Sequence, residues 1–173
     1  MKSETRLNDH GRLVTVIVAC VGLTLGGVVM QGLGPRIAMA GDNKILPAHA
    51  CQPEEDPEYT IFSARYLEND LGAEQTYWCP VLRDDTQSEL EFVRVRVENR
   101  GSSYKRPECT VHSVSVGGTF TDSEYEESPS TTGFFSLEFP LNGFTEYDNG
   151  HFVIECTLGD EDRILSYRTN ESP

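Results

Sequence analysis

Between residues 90 and 98 the chain alternates with a period of two. Val93, Val95 and Val97 stand on one side of an extended backbone, and Arg94, Arg96 and Glu98 stand on the other. Such a run is a strand with one buried and one wet face. The pattern returns in 134–139 through Phe135, Leu137 and Phe139, and in 151–158 through Phe152, Ile154, Cys156 and Leu158. It returns again in 163–169 through Leu165 and Tyr167. Asn142-Gly143, Asn149-Gly150 and the run 159–162 supply turn chemistry between these segments. Three more strands are predicted over 59–66, 74–81 and 108–116. Pro80 places the second of them at a sheet edge or at its own end. In the third, Cys109 and Val111 share one parity and Val114 and Val116 the other, which a bulge near His112–Ser113 reconciles. Residues 117–133, rich in Gly, Ser, Thr and acid, read as a mobile loop with one short strand near 119–121. No stretch has a convincing helical period. The expected fold is all-β: a disulfide-braced β-sandwich of seven or eight strands over 59–173, of jelly-roll or immunoglobulin-like type. A polar, extended arm over 41–58, with Pro47, Pro53 and Pro57, precedes it.

Residues 1–40 read as a signal peptide. A polar leader carrying Lys2, Arg6 and Arg12 is followed by residues 13–33 without a charged side chain, then Gly34-Pro35-Arg36 and Ala38-Met39-Ala40, with cleavage expected after Ala40. The uncharged run is also long enough to serve as a retained membrane anchor over 13–33, and Ile17-Val18-Ala19-Cys20 has the form of a lipobox. The cleaved reading makes the domain exported, periplasmic or extracellular. Beyond Ala40 lie Cys51, Cys79, Cys109 and Cys156, an even set that predicts two disulfides. Three pairings are possible. Core parity on well-formed strands favours Cys109–Cys156, which leaves Cys51 and Cys79 to fasten the arm. No Cys-x-x-Cys spacing points to structural zinc.

The same 133 residues carry ten Lys and Arg against 26 Asp and Glu, a formal charge of −16. That charge repels nucleic acid and anionic membrane surfaces, and suits solubility, cation binding or a basic partner, a well-solvated surface without a specific ligand being its ordinary role. Metal candidates are His112 and His151, both of outward parity, and the acidic turn holding Asp160 and Asp162. Calcium is the metal such loop oxygens would take, although the ordinary role of surface carboxylates is solvation and no cofactor is required. Asp84-Asp85 and the run 122–127 are further acidic segments. Trp78 and Tyr77, with Tyr104, Tyr125 and Tyr147, could stack on a glycan or peptide if exposed. The alternative for Trp78 is a second apolar layer against the arm. No Gly-x-Ser-x-Gly elbow is present, paired cysteines leave no thiol nucleophile, and no catalytic residue is nominated. Asn170-Glu171-Ser172 matches a glycosylation triplet, to which no role is assigned.

Three short segments stand in order: 79–84 (Cys-Pro-Val-Leu-Arg-Asp), 109–113 (Cys-Thr-Val-His-Ser) and 152–158 (Phe-Val-Ile-Glu-Cys-Thr-Leu). The ending 163–171 (Arg-Ile-Leu-Ser-Tyr-Arg-Thr-Asn-Glu) follows them. In that order the chain resembles a loosely defined group of exported bacterial proteins of uncharacterised function. The resemblance implies export and this strand layout, and transfers no catalytic or binding residue. The expected function is that of a secreted, non-catalytic β-sandwich that binds a protein or glycan partner or contributes to the cell envelope. The alternative is an extracytoplasmic hydrolase or calcium-dependent glycan-binding module that uses loop carboxylates.

Overall fold

Val93, Val95 and Val97 are all fully buried, while Arg94, Arg96 and Glu98 line the opposite side of the same strand. Each valine removed from water in this way contributes about 2 kcal/mol. The computed structural model describes residues 43–84, 89–101, 105–146 and 149–171; the expected signal peptide, with its anchor alternative, lies outside the described residues. Among the described residues there are eleven strands. They are β1 (Lys44–Pro47), β2 (Gln52–Pro53), β3 (Thr60–Phe62), β4 (Leu67–Asn69), β5 (Gln75–Pro80) and β6 (Leu90–Asn99), followed by β7 (Glu108–Val114), β8 (Phe120–Glu127), β9 (Gly133–Pro140), β10 (His151–Leu158) and β11 (Arg163–Glu171). Two short 3-10 turns, Ala48–Ala50 and Pro57–Tyr59, complete the elements.

The strands form two sheets, and every pairing is antiparallel. The six-stranded sheet runs β3-β4-β11-β6-β9, with β1 paired to the part of β11 beyond β4. The five-stranded sheet runs β2-β5-β10-β7-β8. The eight strands β4 to β11 thus interleave as a jelly roll: β4-β11-β6-β9 in one layer and β5-β10-β7-β8 in the other. This settles the choice left open between jelly-roll and immunoglobulin-like order. Inner residues of both layers, among them Leu67, Val95, Phe139 and Ile164 from one and Tyr77, Val111, Ile154 and Leu158 from the other, make one core.

Five expectations change, the first being that Leu165, expected on one face with Tyr167, is the extra residue of a bulge in β11, so Ile164 takes the core position instead. The strands exceed seven or eight because β1, β2 and β3 add to the eight of the jelly roll. Two of these, β1 and β2, lie in the stretch read as a polar arm, where hydrogen bonding to the free edges of β11 and β5 outweighs the lack of alternating apolar residues. Ala48 and Cys51 within it reach the core. The segment read as a mobile loop contains the eight-residue strand β8 instead, paired along β7 from Glu127 to Phe120. Its polar sequence suits an edge strand whose sides are mostly wet. The bulge falls on β8, where Thr121 is the extra residue between Asp122 and Phe120, while β7 keeps a regular register with β10 up to Val114. Val114 changes parity because it belongs to the outer face.

Both disulfides join neighbouring strands of the five-stranded sheet on its inner side. Cys109 lies directly opposite Cys156 in the β7–β10 register. Cys51 bridges to Cys79 one residue beyond the pairing of Gln52 with Trp78. The Cα separations are 4.1 and 4.0 Å, near the spacing of facing residues that do not exchange ladder hydrogen bonds. The bridges therefore brace one layer and do not tie the layers together. Polar links across the core come from two tyrosines. Tyr167 of β11 donates to the Pro80 carbonyl at 2.7 Å, and the Tyr77 hydroxyl lies 3.3 Å from Thr60 Oγ1. Burial pushes both phenols up to about 12, so each stays a protonated donor.

Replacing Cys109 and Cys156 together by Ala releases a 47-residue closure and is expected to lower global stability by about 3–4 kcal/mol in urea unfolding. Replacing Cys51 and Cys79 is expected to act more locally. Amide exchange over 44–53 should accelerate while β7 and β10 keep their protection; uniform acceleration would contradict the local role.

Candidate functional site

The outer face of the five-stranded sheet holds the most unusual surface. The register brings Gln52 of β2, Trp78 and Pro80 of β5, His151, Val153 and Glu155 of β10, His112 and Val114 of β7, and Phe120 and Ser123 of β8 to one side. Phe120 stacks on the His112 imidazole with centroids 4.4 Å apart and planes 15° apart. Trp78 lies 6.2 Å from His112 and 6.3 Å from Phe120, tilted by 28° to the latter. The three rings form one aromatic strip. Phe120 is 52% exposed, an outlay of apolar surface that the core does not require.

His112 is fixed in its plane. Nδ1 lies 2.8 Å from Ser123 Oγ and Nε2 lies 2.8 Å from Glu155 Oε2. Serine, histidine and carboxylate in series are the parts of an acyl-transfer relay. Here they sit on three adjacent strands of a flat face, with one side of the imidazole covered by Phe120. The two bonds hold the ring in the plane against which Phe120 stacks, and Ser123 lines neither of the hollows described next.

Beside Trp78 runs a shallow, mainly apolar trough of about 410 Å³, lined by Gln52, Trp78, Pro80, His151 and Val153 together with Ala50, Val81 and Phe152. A second hollow of about 480 Å³ lies at the other side of Glu155. Glu54, Glu55, Glu74 and Glu108 line it together with Lys105. Lys105 lies 2.7 Å from Glu108, whose hydrogen bond raises the lysine above its ordinary pKa.

The residues singled out in the sequence separate. Trp78 stands half-buried on the outer face, paired with Gln52 of the stretch read as the arm. Tyr77 does not join it. It is wholly buried, with its hydroxyl donated to Gln75 Oε1 at 2.7 Å, because strand parity sends it to the core. Tyr125 lies on β8 and donates to Glu108 at 2.8 Å; Tyr104, Tyr147 and Asp85 lie outside the described residues. His112 and His151 share the outer face, but both nitrogens of His112 are engaged, and His112 is only 8% exposed. Asp160 accepts the Gly72 amide, and Asp162 accepts the Arg100 amide at 2.7 Å. Among the described residues no three His, Cys, Asp or Glu side chains are grouped to hold a metal ion. Acids of the other acidic segments also have partners: Asp84 pairs with Lys44 at 2.8 Å, and Asp122, on β8, accepts the Thr145 amide at 2.6 Å, which lowers its pKa. Sequence reasoning missed Phe120 and Ser123 because it read their strand as loop, and missed the trough because Gln52 belonged to the arm.

No protein-family model and no curated protein matches the chain. Solved structures with a similar strand layout include a carbohydrate-binding module from Cellvibrio mixtus lichenase 5A in complex with cellotriose (9% identity, 75% of this chain and 98% of that one, TM-score 0.42). Another is a family 35 carbohydrate-binding module from Clostridium thermocellum (14% identity, 74% and 97%, TM-score 0.41). A third is an arabinose-bound α-L-arabinofuranosidase (11% identity, 74% and 24%, TM-score 0.47). The likeness concerns β-sandwich layout alone.

Asp162 is fully buried, and its Oδ2 has no hydrogen-bond partner. Burial raises its carboxyl above the ordinary range, against the lowering effect of the Arg100 and Gly159 amides. The folded state therefore holds this proton more tightly than the unfolded chain. Stability should fall as pH rises from the ordinary carboxylate value of about 4 through the raised folded value, and level off above it. Urea titrations of the natural chain and Asp162→Asn across that window should diverge in this sense; parallel curves would refute the charge burial.

Proposed function

We propose that this protein is a non-catalytic, extracytoplasmic binding module that takes a neutral glycan on the outer face of its five-stranded sheet. The observation that carries the reading is the aromatic strip of Trp78, His112 and Phe120, continuous with the trough beside Trp78. Sugar rings offer apolar C–H faces and a rim of hydroxyls. A flat apolar platform edged by a few polar groups suits both. Gln52, His151 and Glu155 supply that edge. The strip is built on strands and not on loops, and one of its strands, β5, is cross-linked to β2 while β10 and β7 are cross-linked to each other. Little conformational freedom is left to lose when a ligand binds. A neutral ligand also avoids the repulsion that a charge of −16 would exert on a polyanion.

Trp78 is the only tryptophan of the chain, so its emission reports directly on the face. Titration with soluble neutral polysaccharides should give a saturable emission change for at least one polymer. Phe120→Ala should weaken that binding about tenfold or more, the loss of one stacked ring. Calorimetry should show Trp78→Ala abolishing it, while Ile45→Ser on the other sheet leaves it intact. Binding that survives both ring removals would refute the assignment.

A further inference from the structure

We infer that the outer face of the six-stranded sheet holds a second site, for a single carboxylate or sulfate group carried on a small polar molecule such as an acidic sugar. It stands independently of the neutral-glycan reading, since it lies on the opposite layer. Of the ten Lys and Arg beyond residue 40, four project from the outer face of the two central strands: Arg94 and Arg96 of β6, and Arg163 and Arg168 of β11. Two of these are neutralised. Arg163 bonds Glu68 and, at 3.0 Å, Glu98. Arg94 bonds Glu138 at 2.6 Å and rests over the Phe92 ring at 5.3 Å.

The remaining two are not neutralised. Among the described residues Arg96 and Arg168 make no ion pair, in a chain where carboxylates outnumber cations by more than two to one. Arg168 Nε is buried without a hydrogen-bond partner. Register aggravates the imbalance. Arg168 lies directly opposite Arg94, and Arg96 sits diagonally from Arg168, one row along, opposite Ser166 on one side and Ser136 on the other. Glu138 answers Arg94, so the uncompensated pair is Arg96 and Arg168 themselves, diagonal neighbours about 7–8 Å apart, a spacing at which like charges still repel. An oxyanion held between Arg96 and Arg168 would relieve that repulsion and take charge-assisted hydrogen bonds from two planar forks. The two serine hydroxyls beside Arg96 offer neutral polar contacts to the rest of such a ligand, and Ile45, opposite Arg168 and 72% exposed, offers an apolar one. A dense polyanion fits poorly, because the rest of the surface repels it; one acid group meets only the local field.

The test is an amide chemical-shift titration of the 15N-labelled protein at constant ionic strength, with sodium glucuronate as probe and glucose, sodium acetate and sodium chloride as comparisons. Glucuronate should shift amides within 94–97 and 165–169 in a saturable way at millimolar concentration, and glucose should not. The double variant Arg96→Gln/Arg168→Gln, with a dispersed spectrum proving its fold, should bind at least about tenfold more weakly. No saturable shift up to about 50 mM glucuronate, shifts that persist in the double variant, or equal shifts with chloride, meaning an adventitious ion only, would overturn the proposal. Sugar-induced shifts confined to residues 78, 112 and 120 would report on the other sheet, so the two readings fail separately.

Discussion

Both disulfides lie within one layer, on its inner side, and much of the molecule follows from that placement. A cross-strand bridge needs two cysteines to face each other with the same parity, so each bridge locks the register of its strands. With β2 locked to β5 and β10 to β7, a slip of one residue between either pair would break a covalent bond. Parity then propagates along the strands. Tyr77, Val111 and Ile154 go inward beside the sulfurs, and Trp78, His112 and Val153 go outward between them. The outer face is relieved of packing duty and carries rings on a backbone that cannot shift.

The two layers divide the remaining work. The five-stranded layer is stiffened covalently and presents aromatic surface. The six-stranded layer has no bridge and is held by its valines, by the Tyr167 and Tyr77 contacts with its partner layer, and by arginine–glutamate pairs on its outside. In a chain this acidic most described cations are bound to carboxylates; of the three arginines without an ion pair among the described residues, Arg65, Arg96 and Arg168, the last two are neighbours on one sheet face, which is why they carry information.

The sequence made the layers legible wherever alternation was strict. Strands β6, β9 and β10 announce themselves because one side is apolar over Val93–Val97, Phe135–Phe139 and Phe152–Leu158. Strand β11 shows itself through Tyr167 although its inner side also buries Thr169 and Glu171, and the parity of Cys109 and Cys156 points to their pairing. It was opaque where the structure is held by main-chain bonds. Strands β1 and β2 have no apolar alternation, since each is a short edge segment added to a finished sheet, and β8 is wet on most of both sides. The candidate site inherited that blindness. Trp78 could be flagged from its parity opposite Cys79, but Phe120 and Ser123 sit on the strand hidden as a loop. The parity change at Val114 suggested a bulge in β7, whereas an apolar outer face was its cause. His112 and His151 offered a metal reading because side-chain partners are set by register between strands, which a linear pattern does not encode.

Peptide mapping of the non-reduced protein by mass spectrometry tests the central constraint most directly. The account predicts that every linked peptide joins Cys51 to Cys79 or Cys109 to Cys156. A link between Cys51 or Cys79 and either of the other two, or free thiols at these four positions, would contradict it.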